Sequence, residues 1–152
     1  MRPLLLTFII IVSLFAPLPG CMTTPESGLP VRDFSSLFPP LKAPMGRIFF
    51  FRHYILAGSL ITPPVSLNGA YAGDSLPGEY FYIDTYKGKY HVEISEGYTL
   101  DLQLSAGEER FILMDLGGTG IFYDIIPKVA NPEVARRQII QIHEMKERVK
   151  EK

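Results

Sequence analysis

The chain has 152 residues, 47% of them hydrophobic, with 15 basic side chains against 16 acidic and a formal net charge of -1. A chain of that length holds at most one ordinary domain, and without a basic face along its body it excludes nucleic acid as an expected partner. There is no Trp, one Cys, and thirteen each of Pro and Gly in short clusters, a composition of many turns that points to an all-β body.

Arg2 supplies a minimal positive start. The run Leu4 to Ala16 then gives thirteen residues with only Thr7 and Ser13 as polar interruptions. That is the length of a signal-peptide core, short of the roughly 20 apolar residues of a membrane-spanning helix. Pro17 and Pro19 end any helix there. The stretch Leu18-Pro19-Gly20-Cys21 resembles the lipobox of bacterial lipoproteins, with Pro19 where that motif usually has a small or β-branched residue. The resemblance implies a signal peptide over 1–20, cleavage between Gly20 and Cys21, and acyl chains such as palmitate anchored through the Cys21 sulfur. Met22, in place of the Asp that favours inner-membrane retention, implies the outer membrane, with the body facing the periplasm. An uncleaved hydrophobic anchor and an intermolecular disulfide are the alternatives for this segment. Residues 21–45 read as a Pro-rich tether, which carries one short aromatic segment, "FSSLF" (Phe34 to Phe38), able to dock on a body.

From Gly46 the pattern changes to period two, and 46–130 reads as one domain. Strands are expected over Arg47 to His53, on either side of an Asn68-Gly69 hairpin turn, and over Gly78 to Tyr86 and Lys89 to Ser95. Three more follow over Tyr98 to Ser105, Arg110 to Leu116 and Gly120 to Ile126. Seven or eight short strands at such spacing predict a mainly β fold, a small antiparallel β-sandwich or partly open barrel. Parity assigns one apolar and one wet face to the middle strands. Phe81 and Ile83 point inward, leaving Tyr80, Tyr82, Asp84 and Tyr86 outward. A hairpin at Lys87-Gly88 that keeps these faces puts Asp84 opposite His91 and Tyr82 opposite Glu93. The next hairpin puts Asp101 opposite Glu93 and Gln103 opposite His91.

The tail, 131–152, predicts an amphipathic helix. Asn131 is the N-cap, Pro132 the first helical residue, and Glu133 complements the dipole. Val134, Ala135, Ile139, Ile142, Met145 and Val149 share one arc, with Ile140 on the far side. The helix either covers the sandwich or docks an envelope partner. An edge strand such as Arg47 to His53 offers a second route to such a partner.

Together "GRIFFFR", "PPVSLNGAYAGDSLPGEYFYID", "YKGKYHVEI" and "LDLQLSAGEERFIL" resemble a family of bacterial lipoproteins that carry a small β-sandwich domain of unknown function. The resemblance covers roughly Gly46 to Leu116 and implies a fold and an envelope location, with no known reaction.

Candidate chemistry is sparse. "GDSL" (Gly73 to Leu76) matches the name motif of an esterase family whose Ser is the nucleophile, so an envelope serine hydrolase at Ser75 is one alternative. That chemistry needs a base oriented by a carboxylate, and no His in the chain has an Asp three residues before it. The wet face gathers Asp84, His91, Glu93, Asp101 and Gln103, but a flat sheet seldom collects enough ligands for a divalent ion. Tyr80, Tyr82 and Tyr86 flank this set as an aromatic stripe that could stack on a glycan or peptidoglycan. These readings predict no catalytic residues, no metal and no cofactor. They predict a lipid-anchored envelope protein with a non-catalytic binding or scaffolding domain, whose binding surface involves Tyr80, Tyr82, Tyr86, Asp84 and His91.

Overall fold

The computed structural model describes residues 33–94, 97–119 and 122–150. The signal-peptide and lipid-attachment assignments at Gly20 and Cys21 lie outside them. In chain order the strands are β1 (Met45–Phe51), β2 (Pro64–Leu67), β3 (Ala70–Asp74), β4 (Tyr80–Tyr86), β5 (Gly88–Ile94), β6 (Thr99–Leu104), β7 (Glu109–Thr119) and β8 (Phe122–Val129). A single helix, α1 (Pro132–Lys150), follows them. The strands form two four-stranded sheets, one in the order β4-β1-β7-β8 and the other β3-β2-β5-β6. The fold is mainly β, as expected, and open at the edges rather than closed into a barrel.

The organising element is β1. Its sequence Arg47-Ile48-Phe49-Phe50-Phe51 has no alternation, which is how a strand buried on both faces reads, and all five of these side chains are buried. Ile48 and Phe50 face the second sheet, joining Val65, Val92, Ile94, Leu104, Ile112 and Met114 in the core between the sheets. Phe49 and Phe51 face the other way, into a second core with Phe34, Phe111 and the α1 residues Ala135, Ile139 and Ile142. The ring of Phe49 stacks on Phe111 at 4.9 Å and nearly parallel, and Phe50 stacks on Phe81 at 4.9 Å. Every described side chain of both cores lies in the compact unit 32–152.

Local rules hold at the ends of elements. Asn68 and Gly69, at φ 52° and 78°, make the β2–β3 turn, the left-handed pair that suits the twist of a hairpin. Asn131 caps α1, its Oδ1 accepting from the backbone N–H of Glu133 at 3.0 Å and of Val134 at 3.3 Å.

Several expectations are corrected. β1 is no edge strand: it lies between β4, antiparallel to it, and β7, parallel to it, so the sandwich is not wholly antiparallel. β4 and β5 do not form a hairpin. The chain crosses from one sheet to the other at Lys87, and Tyr90 braces the corner by donating from its hydroxyl to the Tyr86 carbonyl at 2.6 Å. Asp84 therefore stands opposite Arg47 rather than His91. The β5–β6 hairpin forms with its faces as expected but two residues out of the expected register, so His91 faces Asp101, Lys89 faces Gln103, and Glu93 faces Thr99. Part of the expected tether belongs to the body: Phe34–Leu37 is a turn of 3-10 helix, and Phe34 and Phe38 pack into the second core. This segment lies alongside α1, widening the apolar ground under the helix, so Ile140 also packs partly against that core. On the expected arc Ala135, Ile139 and Ile142 are buried, whereas Val134, Met145 and Val149 are exposed.

Gly46 sits where β1 passes the end of β6. A Cβ there would lie 2.7 Å from both Leu104 Cγ and the Ser105 carbonyl oxygen. Backbone cannot yield as a flexible side chain does, so Gly46→Ala is expected to lower stability by about 1–3 kcal/mol, read as a reduced urea midpoint. Gly107→Ala, at a turn with nothing within 4 Å of the added Cβ, tests strain alone at φ 76° and should cost less.

Candidate functional site

The two outer faces of the sandwich differ. That of the β4-β1-β7-β8 sheet is sealed by α1 and the Phe34–Phe38 segment. Arg136 of α1 pairs with Glu109 at 2.8 Å and lies over Phe34 and Phe111; further along, Lys146 pairs with Glu79, and His143 Nδ1 shares a hydrogen bond of 2.8 Å with the Tyr80 hydroxyl. The outer face of the β3-β2-β5-β6 sheet has no such cover among the described residues.

On that bare face the side chains stand in rows across the strands. Tyr71, Ser66, Glu93 and Thr99 make one row, His91 and Asp101 the next, Lys89 and Gln103 the third. His91 Nδ1 lies 2.6 Å from Asp101 Oδ1, with the two side chains 50% and 85% exposed, so the pair contributes little stability and remains open to a ligand. Asn68 fixes the backbone beneath it, its Oδ1 accepting from the His91 N–H at 2.8 Å while its own N–H donates to the His91 carbonyl at 2.8 Å. Asn68, Lys89, His91, Asp101 and Gln103 line an open groove of about 570 Å³. It presents an ammonium, a side-chain amide, an imidazole and a carboxylate within one hairpin's width. Such a surface suits a polar ligand held by hydrogen bonds. Among the described residues no three His, Cys, Asp or Glu side chains are placed to share a metal ion.

The expected binding surface is divided by the fold. His91 lies on the bare face, and so do Glu93, Asp101 and Gln103. Tyr80, Tyr82, Asp84 and Tyr86 belong to β4 on the other sheet. Tyr80 and Tyr82 are half-buried in the second core, their rings meeting Phe38 edge-on at 5.8 and 5.4 Å. Burial, with Glu79 adding, pushes the Tyr80 phenol above its usual pKa. Only Tyr86 of the three is exposed, so they offer no continuous stacking platform. Asp84 is structural: its carboxylate accepts from Arg47 Nε at 2.6 Å and Nη2 at 2.8 Å. That Arg47 guanidinium is buried, lies 4.4 Å from the Tyr82 ring centroid, and is held above its usual pKa chiefly by Asp84. The residues missed from sequence are Tyr71, Asn68 and Lys89; parity carried outward from the Asn68-Gly69 turn contains that signal.

Ser75 is buried, and its hydroxyl makes no hydrogen bond. Among the described residues no base is positioned to take its proton, which is the first requirement of a serine nucleophile. Its carbonyl accepts from Arg52 Nη1 at 2.6 Å, a role in holding the loop.

No family model matches the chain, and no curated protein matches it. Among solved structures, the N-terminal domain of AlgF from P. aeruginosa is similar over 57% of this chain and 99% of that one, at 16% identity and a TM-score of 0.39. So slight a likeness carries no inference about fold or function.

The two aspartates separate structure from site. Asp84→Asn leaves a buried guanidinium without its counter-charge and is expected to cost on the order of 3 kcal/mol. Asp101→Asn should leave the urea midpoint unchanged, because its carboxylate is solvated. Equal loss in both variants would show that the His91–Asp101 pair is part of the scaffold.

Proposed function

We propose that this protein is a lipid-anchored component of the bacterial cell envelope, facing the periplasm from the outer membrane, whose sandwich binds or scaffolds a polar envelope component. The observation that carries the address is the apolar run ending in Leu18-Pro19-Gly20-Cys21, placed a short distance ahead of a packed body that begins at residue 32. Among the described residues no helix is long and apolar enough to cross a membrane. One acyl chain gives only marginal membrane attachment, at ~0.8 kcal/mol per buried CH₂, so firm residence needs the two or more chains of a lipidated cysteine.

The asymmetry of the sandwich supports a binding role. Among the described residues one sheet is sealed and the other bare, which presents a four-stranded surface whose backbone is fixed by strand pairing. A ligand would meet His91, already paired with Asp101, on strands rather than on a loop whose arrangement would cost entropy. The unpartnered, buried Ser75 hydroxyl supports binding over hydrolysis.

Globomycin, which blocks lipoprotein signal cleavage, is expected to leave a larger, uncleaved species. The untreated product should show an intact mass starting at Cys21 and increased by acyl chains. An unmodified chain still starting at Met1 would end the anchored reading. For the binding face, a photo-crosslinker at Gln103 is expected to capture a discrete envelope component that one at Arg137, on the exposed side of α1, does not. Identical capture from both positions would remove the bare sheet from this role.

A further inference from the structure

One end of the sandwich is apolar where a soluble domain is normally polar. The connection from β1 to β2 opens with Arg52 and His53 and then runs Tyr54-Ile55-Leu56-Ala57-Gly58-Ser59-Leu60, seven residues without a charge whose large side chains face out: Leu56 is 76% and Leu60 95% exposed, with Tyr54 and Ile55 also exposed. Tyr54 continues this surface onto the helix, lining with Pro77, Met145, Lys146 and Val149 an open groove of about 420 Å³. Leu76, Met145 and Val149 are exposed as well.

The loop is not loose chain that happens to carry leucines. Arg52, only 3% exposed, donates from Nη1 to the Ile61 and Ser75 carbonyls at 2.5 and 2.6 Å and from Nη2 to the Gly58 carbonyl at 2.7 Å. Gly58 packs so closely that a Cβ would lie 2.5 Å from Leu116 Cδ1. The Gly58 and Ile61 carbonyls are thus turned inward onto a buried cation, while the side chains of Leu56 and Leu60 are exposed. Contiguous exposed apolar surface of this kind marks an interaction site.

We propose that this end of the sandwich, the Tyr54–Leu60 loop with Leu76 and the last turns of α1, is a bilayer-contacting surface that enters the headgroup region of the membrane. The proximity rests on the anchored reading above. From Cys21 to Asp33 is twelve residues, and a chain that long spans at most about 40 Å, so the body cannot leave the neighbourhood of the bilayer. The chemistry fits an interface more closely than a protein groove. The Tyr54–Leu60 stretch carries no charged side chain, so no ion of its own must be desolvated on entry, and it includes a tyrosine, whose ring favours headgroup depth. Lys146, Arg148 and Lys150 are on the adjoining last turns of α1. Lys146 pairs with Glu79 and Lys150 with Glu147 at 3.3 Å, and Arg148 Nε donates to the Glu144 carbonyl at 3.4 Å. Their long stems allow the cationic heads to reach lipid phosphates while the aliphatic parts cover the patch.

The test uses residues 32–152, which contain both cores and no cysteine. An N-terminal hexahistidine tag holds the protein on phosphatidylethanolamine/phosphatidylglycerol vesicles containing a nickel-chelating lipid, replacing the acyl anchor whether or not Cys21 is modified in cells. Leu60→Cys and Gln103→Cys, both at exposed positions, are labelled with an environment-sensitive nitrobenzoxadiazole dye. The expected result is a blue shift, with quenching by a lipid-borne quencher, at position 60 and water-like emission at position 103. Water-like emission at both positions would overturn the proposal and leave the apolar end to a protein partner. So would equal shifts at both. Neither result bears on globomycin sensitivity, so failure here and failure of the anchor are separately visible.

Discussion

Strand β1 has no wet side, and the rest of the molecule follows from that. Five consecutive side chains from Arg47 to Phe51 are removed from water, and a strand can do this only in the middle of a sheet with cover on both faces. The second sheet supplies one cover. The other must come from elsewhere in the chain, and two segments provide it, α1 and Phe34–Phe38. The aromatic stacking around Phe49 and Phe50 then binds three layers into one unit, since the same strand contributes alternate rings to both cores. The helix is thereby part of the fold, clamped at Glu109, Tyr80 and Glu79.

Two buried guanidiniums close the ends of this strand, and they do so differently. Arg47 meets a carboxylate in a two-pronged pair and is covered by aromatic rings; its charge is matched. Arg52 meets only backbone carbonyls, and burial holds its pKa below the usual arginine value. Three neutral acceptors solvate it in place of water, and each is a carbonyl of a loop that has no sheet to satisfy it. The first arginine joins β1 to the neighbouring strand β4. The second joins the β1–β2 and β3–β4 connections at the opposite end, where the surface is apolar.

Much of this was legible from residue order. The Asn68-Gly69 turn, the Asn131-Pro132 helix start, the strand spans and the mainly β class each depend on local chemistry that tertiary context did not override. Parity also gave the faces of β5 and β6 correctly. It could not give partners, because a shift of two residues leaves every face unchanged; thus His91 faces Asp101 where Gln103 was expected. Nor could it distinguish a hairpin from a sheet-to-sheet crossing at Lys87-Gly88, since both preserve alternation. The error about the tyrosines follows from that one. With β4 assigned to the wet sheet, Tyr80 and Tyr82 read as exposed; beside β1 they become the floor beneath Phe38 and α1. The missed clue was the triple phenylalanine, which already demanded a cover for the outer face of its sheet.

The arrangement divides the labour of the surface between regions of different stiffness and polarity. The sheet that carries His91 is held by ladder pairing, so the backbone positions of Lys89, His91 and Gln103 are fixed by the fold. At the apolar end Arg52 ties the β1–β2 connection, at Gly58 and Ile61, to the β3–β4 connection at Ser75. Order at the first surface comes from strand pairing, whereas at the second it comes from Arg52 together with the packing of Gly58 on Leu116 and the turn bonds of the loop. A surface that must meet a fluid, structureless apolar phase needs only that its side chains point outward and its backbone polar groups be satisfied. Arg52 contributes to the second condition by satisfying the Gly58, Ile61 and Ser75 carbonyls.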